Sequence, residues 1–245
     1  MELAYRHGYS KLFAKVPEDR EQCFLDSDFI TEARIPGGVD GLDLVFCSRF
    51  LSAEREAERL PDEVQRTLRI AACMSAERQS VIPSAREAED YDAPRLATPL
   101  EADELASFYG KVFASYPFPI DDPQFIRASM AEGTIYLIIR SEIGHEIAAA
   151  ASAEPLWRLP TCEMTDFATL PEWRGLGLAS VLLQELERKV MRFGTRMAFT
   201  IARATSPAMN VVFARHGYVY AGTLVNNTNI AGRIESMNVW FRPLA

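Results

Sequence analysis

Histidine and cysteine are scarce in this chain of 245 residues, three of the first and four of the second. The cysteines (Cys23, Cys47, Cys73, Cys162) are widely spaced and form no C-x-x-C pair. Neither a zinc site nor a disulfide framework is suggested, no metal is expected, and reduced thiols in the cytoplasm are the default. No apolar run reaches the ~18 residues that would cross a bilayer, and nothing reads as a signal peptide, so no membrane partner is expected. Basic residues are in deficit: 26 Lys and Arg against 34 Asp and Glu leave a net charge of −8. That balance argues against non-specific nucleic-acid binding, and no basic stripe interleaved with aromatics compensates for it. With 48% hydrophobic and 24% charged residues the composition is that of an ordinary globular protein, long enough for one large domain or two small ones.

What is there centres on Thr161–Met191, which reads as a strand, a glycine turn and an amphipathic helix. Leu178, Val181, Leu182, Leu186 and Val190 share one helical face, with Gln184, Glu185, Glu187, Arg188 and Lys189 largely opposite. The turn Arg174-Gly175-Leu176-Gly177-Leu178-Ala179 lets the backbone approach a ligand, and the first N–H groups of the helix point into it. Such a turn suits an anion, most naturally a phosphate. A dinucleotide fingerprint would need a third glycine, and Ser180 stands there.

The turn resembles the first motif of the GNAT N-acetyltransferases, [RQ]-x-x-G-x-[GA], matched by Arg174, Gly177 and Ala179. The resemblance implies acetyl-CoA as co-substrate. Amides of Arg174, Gly175, Leu176, Gly177, Leu178 and Ala179 would hold its pyrophosphate, and strand residues such as Phe167 and Ala168 its pantetheine arm. Asn210 would add a hydrogen bond to that arm.

In chain order, Gly8–Val16 reads as a strand, Pro17-Glu18-Asp19 as a helix start, and Phe29–Pro36 and Leu42–Leu51 as strands about a Gly37-Gly38 turn. Ser52–Arg78 reads as helix with a restart at Pro61. The charged stretch Ser84–Asp92 marks a connector over 81–95, separating residues 1–80 from a domain over 96–245. That domain opens with a capping box at Thr98-Pro99 and Glu101. A short helix over Asp122–Met130, a hairpin over Thr134–Ala153, the central strand and helix, then strand, helix and two strands complete it. This is the element order of the acetyltransferase fold: α/β, a mixed, mostly antiparallel sheet flanked by helices. Gly194–Phe199 resembles Gly8–Phe13, and Phe213 before Gly217-Tyr218 corresponds to Phe24 before Asp28-Phe29. The N-terminal segment thus reads either as a degenerate copy of the second half of the domain or as an ordinary β-α-β-β segment. It has no glycine loop, and its expected role is structural.

Four segments, Met164–Pro171, Thr200–Ala204, Asn226–Ile230 and Glu235–Trp240, are similar to the β-lysine N6-acetyltransferases. That resemblance implies direct acetyl transfer in a ternary complex to the N6 amine of a small cationic acceptor, giving a compatible solute. Other small amines, peptide N-termini and a non-catalytic acyl-CoA sensor are the alternatives, and a homodimer is left open. A lysine-type ammonium is protonated at neutral pH and must lose its proton first. Asp166 and Glu163 are the candidate bases, with Asp166 favoured. Their odd spacing places them on opposite faces of a regular strand unless the strand bulges. Tyr116 and Phe118, in Tyr116-Pro117-Phe118-Pro119, would wall the acceptor site. Arg203, Asn226, Asn227, Asn229 and Glu235 would read the far end of the acceptor. The family's usual acid, a tyrosine four residues before the glycine ending the last helix, is replaced by Phe213. Tyr218 and Tyr220 lie nearby, and a solvent proton would serve as well. Cys162 is expected to be buried rather than nucleophilic.

Overall fold

The computed structural model describes residues 2–76, 91–143, 145–156 and 159–244. The chain groups into two units, one of Met1–Ser75, Ile201–Thr228 and Arg233–Arg242, the other of Ala76–Thr200, Asn229–Gly232 and Pro243–Ala245. The connector expected over 81–95 lies for the most part outside the described residues.

In the unit containing Ala76–Thr200, the Thr98 capping box forms as read, its backbone N–H donating to Glu101 Oε2 at 2.9 Å. It precedes a short 3-10 turn and, after β4 (Arg95–Leu96), the helix α5 (Ala102–Val112). Asp122 caps α6 (Pro123–Ala131) by accepting from the Gln124 N–H at 2.8 Å, with Pro123 in the first helical position. Strands β5 (Ile135–Arg140), β6 (Ile147–Pro155) and β7 (Thr161–Thr169) follow in an antiparallel meander. The helix α7 (Leu178–Arg192) then leads to β8 (Met197–Arg203), which pairs parallel to β7 over Thr161–Glu163. Strand order is β8-β7-β6-β5-β4. One apolar cluster joins α5 and α6 to a face of this sheet through Leu105, Phe108, Tyr109, Ile126, Tyr136 and Ile138. On α7 the buried residues are Leu178, Leu182, Leu183, Leu186, Glu187 and Val190. Glu187, expected on the solvent side, is therefore inside.

In the unit containing Met1–Ser75, α1 (Glu2–Arg6) precedes β1 (Lys11–Pro17), α2 (Glu18–Leu25), β2 (Ile30–Val39) and β3 (Leu42–Phe50). The hairpin turns at Asp40-Gly41, with φ of 43° and 90°. The expected turn at Gly37-Gly38 is instead a register shift inside β2, between Ile35 and Val39. The restart at Pro61 divides α3 (Ala53–Glu56) from α4 (Pro61–Ala76). The same unit holds α8 (Pro207–Arg215), β9 (Val219–Ile230) and most of β10 (Arg233–Pro243). Residues 201–228 and 233–242 were expected with the rest of 96–245. They group with the N-terminal segment because β2 pairs with β9, Ala33 opposite Gly222.

The two halves of this unit share a plan. Order along the sheet is β1-β3-β2-β9-β10-β8, so each strand-helix-strand-strand run places its last strand between the other two. Both helices also end alike. The Phe29 N–H returns to the Phe24 carbonyl at 3.1 Å, and that of Tyr218 to Phe213 at 3.0 Å. Asp28 and Gly217 take positive φ at 59° and 89°. The ring pairs Phe24–Phe29 and Phe213–Tyr218 meet edge to face at 5.2 and 5.1 Å.

Candidate active site

The central strand carries the chemistry because it is irregular. Against β6, Thr165 pairs with Ser152 and Ala168 with Ala150, so three steps along β7 face two along β6. The extra residue makes a bulge, and Asp166 takes it up with φ of 55°. Aspartate is among the few non-glycine residues that enter this region readily. The bulge resolves the parity problem. Glu163 pairs with Glu154 on the face of Ser152 and Thr165, and Asp166 turns to that face as well.

There Asp166 is 6% exposed, and its carboxylate accepts from two close hydroxyls and, at 3.5 Å, from Thr165 Oγ1. Tyr116 Oη donates to Oδ1 at 2.6 Å, and Ser152 Oγ donates to Oδ2. Burial pushes the Asp166 carboxyl above its ordinary value; the two hydroxyl bonds pull the other way, and the charge of Glu163 pushes up again. The Tyr116 hydroxyl is driven well up, by burial first and then by Asp166. Tyr109 is wholly buried, stacks on Phe113 at 5.9 Å, and its hydroxyl has no hydrogen-bond partner among the described residues.

The loop after α5 encloses a cavity of about 400 Å³ whose lining includes Tyr109, Phe113, Tyr116, Phe118 and Asp121. Tyr116 and Phe118 thus line a cavity. The tip of the β9–β10 turn is tied to the same loop, with the Gly232 N–H donating to Ser115 Oγ at 2.7 Å. Asn229, beside that tip, is exposed.

Past β7, Pro171–Trp173 makes a single 3-10 turn and the chain reaches Gly175 and Gly177 at φ of 86° and 78°. Arg174 folds back, its Nε donating to the Thr169 carbonyl at 3.2 Å. Gly177 is the N-cap of α7, and helical bonding begins with Ser180 and Val181 returning to its carbonyl. The amides before Ser180 are those a helix start leaves without an internal acceptor. No heavy atom lies within 4 Å of where a Cβ would stand on Gly175 or Gly177. A phosphate fits this opening. Of the strand residues expected to lie along the arm, Ala168 is buried in the apolar cluster and Phe167 is partly exposed. The β7–β8 ladder ends at Glu163 among the described residues.

The other expected site residues fall in the unit containing Met1–Ser75, where most are engaged internally. Asn210 is fully buried. It donates to the carbonyls of Arg203 and Ser206 at 2.9 and 2.7 Å and accepts from Asn238 Nδ2 and Trp240 Nε1, both at 2.9 Å. Four bonds exhaust the amide, so the expected bond to the co-substrate is corrected to a structural role. Asn226 is likewise corrected. Its Nδ2 donates to the carbonyls of Arg55 and Ala57 at 2.9 and 2.7 Å, while Arg55 Nε returns a bond to the Asn226 carbonyl at 2.6 Å. Glu235 is 3% exposed and ringed by Arg203 at 2.6 Å, Thr205 at 2.7 Å and Arg233 at 3.0 Å, so the structure uses it internally. Burial pulls the Glu235 carboxyl up, but these three donors outweigh it and hold it below its ordinary value. Among the described residues, Arg203 keeps a buried Nε without a partner, and Asn227 a buried Oδ1. Phe213 is buried, and so is Cys162, whose thiol burial pushes up to about 12.

Residues 100–218 match the acetyltransferase (GNAT) family. The chain is 36% identical to a β-lysine N6-acetyltransferase of Methanococcus maripaludis, over 95% of its own length and 82% of the relative's. The chain belongs to the GNAT acetyltransferase family. A second protein so named, from Methanosarcina mazei, is 33% identical over 61% of this chain and spans 55% of that relative. Among solved structures, a GNAT phosphinothricin acetyltransferase from Sinorhizobium meliloti in complex with acetyl-CoA superposes with a TM-score of 0.53 at 18% identity. It covers 62% of this chain and 88% of that one, a likeness of fold. The described residues hold no cluster of three His, Cys, Asp or Glu that could bind a metal, and no helix long and apolar enough to cross a membrane.

Proposed function

We propose that this protein is an acetyl-CoA-dependent N-acetyltransferase acting in the cytoplasm on the N6 amine of β-lysine, by direct transfer in a ternary complex. The observation that carries the reading is the placement of Asp166. A carboxylate in a strand bulge, held by two hydroxyls, stands on the strand that leads into a glycine turn open to a phosphate. The amides of Gly175–Ala179 would hold the pyrophosphate of acetyl-CoA, whose thioester supplies the activated acetyl group; that of Arg174, expected among them, donates instead to the Pro171 carbonyl at 3.3 Å. Aromatic walls from Tyr116 and Phe118 suit an ammonium-bearing chain through cation–π attraction, and Asp121 adds a negative charge to the same cavity. Asp166 takes up the proton that the ammonium must lose, so that the neutral amine can attack. Glu163, on the same face, adds negative charge near Asp166 and supports this role.

The test is thiol release from acetyl-CoA by the purified protein with β-lysine, α-lysine, a polyamine and a short peptide, with mass spectrometry of the product. Turnover with β-lysine well above α-lysine, acetylated at N6, is the expected result. Faster turnover with the polyamine or peptide would move the assignment to that acceptor. Tight acetyl-CoA binding without turnover on any amine would sink the enzymatic reading in favour of an acyl-CoA sensor.

A further inference from the structure

Asp166 and the acceptor cavity do not meet directly. The carboxylate is buried and is not among the residues lining the cavity, whereas Tyr116 belongs to both places. It lines the cavity, and its hydroxyl donates to Asp166 Oδ1 at 2.6 Å. Resting on the acceptor reading above, we infer that Tyr116 is the proton carrier between the acceptor ammonium and Asp166.

The transfer is concerted and balanced. An ammonium N–H in the cavity donates to Tyr116 Oη. That N–H bond breaks as a new O–H bond forms on the tyrosine, while the tyrosine's original O–H bond breaks and its proton passes to Asp166 Oδ1. The products are a neutral amine, an unchanged neutral tyrosine and a protonated Asp166. No free tyrosinate forms, which the buried hydroxyl would resist. After product leaves, the proton returns by the same route to water.

The surroundings favour this path. Among the described residues, the groups that act on the pair are Tyr109 from α5, Tyr136 from β5, Ser152 from β6, and Glu163 and Thr165 from β7, with Glu154 behind Tyr136. Among these described residues none is a cation; Ser152 and Thr165 also donate to the carboxylate, and of its three hydroxyl donors Tyr116 is the one that lines the cavity. Ser152 holds the far oxygen, and on Oδ1 the Tyr116 hydroxyl at 2.6 Å is much closer than that of Thr165 at 3.5 Å. Burial raises Asp166 and narrows its gap to a lysine-type ammonium.

The experiment is the pH dependence of kcat for the wild type, Tyr116→Phe, and a protein carrying 3-fluorotyrosine at position 116, each on whichever amine the wild type acetylates fastest. Tyr116→Phe is expected to lower kcat about 100-fold near pH 7, with the KM for acetyl-CoA unchanged. The deficit should shrink above pH ~10, where the amine arrives neutral without help. The fluorinated protein, which keeps the side chain's shape, should displace the acid limb of the profile. A deficit constant with pH, a profile unmoved by fluorination, or full activity in Tyr116→Phe would overturn the relay. A wild type that prefers another amine overturns only the β-lysine assignment, since the relay is then read on that amine. A wild type without turnover on any amine overturns both.

Discussion

Ala33 and Gly222 face each other where β2 meets β9, and their backbones approach too closely for any side chain at position 222. A Cβ there would run into the Glu32 carbonyl oxygen and stand 2.8 Å from both Cα and Cβ of Ala33, and the φ of 149° is strained for an L-residue in any case. Gly222→Ala should therefore lower stability by about 2–4 kcal/mol, combining an unfavourable backbone region with overpacking. Urea denaturation of the full chain checks this. An unchanged midpoint would mean that the two strands can separate at no cost.

Asp166 sets function against stability. Folding raises its pKa, so the carboxyl supports the fold most when protonated, and that support is lost as pH rises through the folded value. Asparagine tolerates the positive φ and fills the same space. Asp166→Asn should abolish most acetyl transfer yet raise stability at pH 7 by about 1 kcal/mol, the gain vanishing below the unfolded carboxyl pKa of ~3.9. Thermal melts at pH 3.5 and 7 alongside activity would show it. A variant that melts lower at pH 7 contradicts the assignment of a burial penalty.

The glycine turn makes a separable claim. Gly177 caps α7 in the left-handed region with open space around its Cα. Gly177→Ala should cost about 1–2 kcal/mol of stability and weaken acetyl-CoA binding about tenfold by displacing the amides that follow. Calorimetric titration with coenzyme A measures the second effect independently of turnover. Wild-type affinity in a folded variant would remove the loop from the binding site.

Glu235 was read as a substrate anchor and lies instead within a ring of donors. Because folding lowers its pKa, its contribution is present above the unfolded value and fades as pH falls through the folded one. Glu235→Gln should cost about 1–3 kcal/mol at pH 7, discounted for the part-exposed Arg203, and the difference should shrink below pH ~4.3. Melting curves between pH 3 and 7 decide this. A pH-independent difference would show that packing rather than charge is lost.

These cases mark where a linear reading stops. The strand, glycine turn and α7 were legible because each is local: apolar spacing, two glycines and a following helical face lie within thirty-odd residues. The Thr98 capping box and the repeated helix ends were legible for the same reason. Asn210 and Asn226 were misread because their partners lie far along the chain, Asn238 and Trp240 for one and Arg55 and Ala57 for the other. An asparagine in a tight segment looks the same whether it faces a ligand or its own backbone. Ser152 escaped notice because an alanine-rich strand gives no hint that its one hydroxyl will meet a carboxylate across the ladder. The bulge at Asp166 was admitted only as an exception to strand parity, since one inserted residue leaves no mark in composition.

The repeat at the amino end has a consequence for how the protein behaves in a crowded solution. An uncovered β9 would present a row of unpaired amides and carbonyls, a template on which strands of other molecules could add. Here β2 lies alongside it, and the sheet of that unit continues outward to β1. The outermost strand carries Lys11 and Lys15 and ends in Pro17, features that discourage further strand addition. Removing residues 1–50 would thus be expected to turn a well-behaved protein into one that aggregates edge to edge, even with every residue of the acetyl-transfer site left in place.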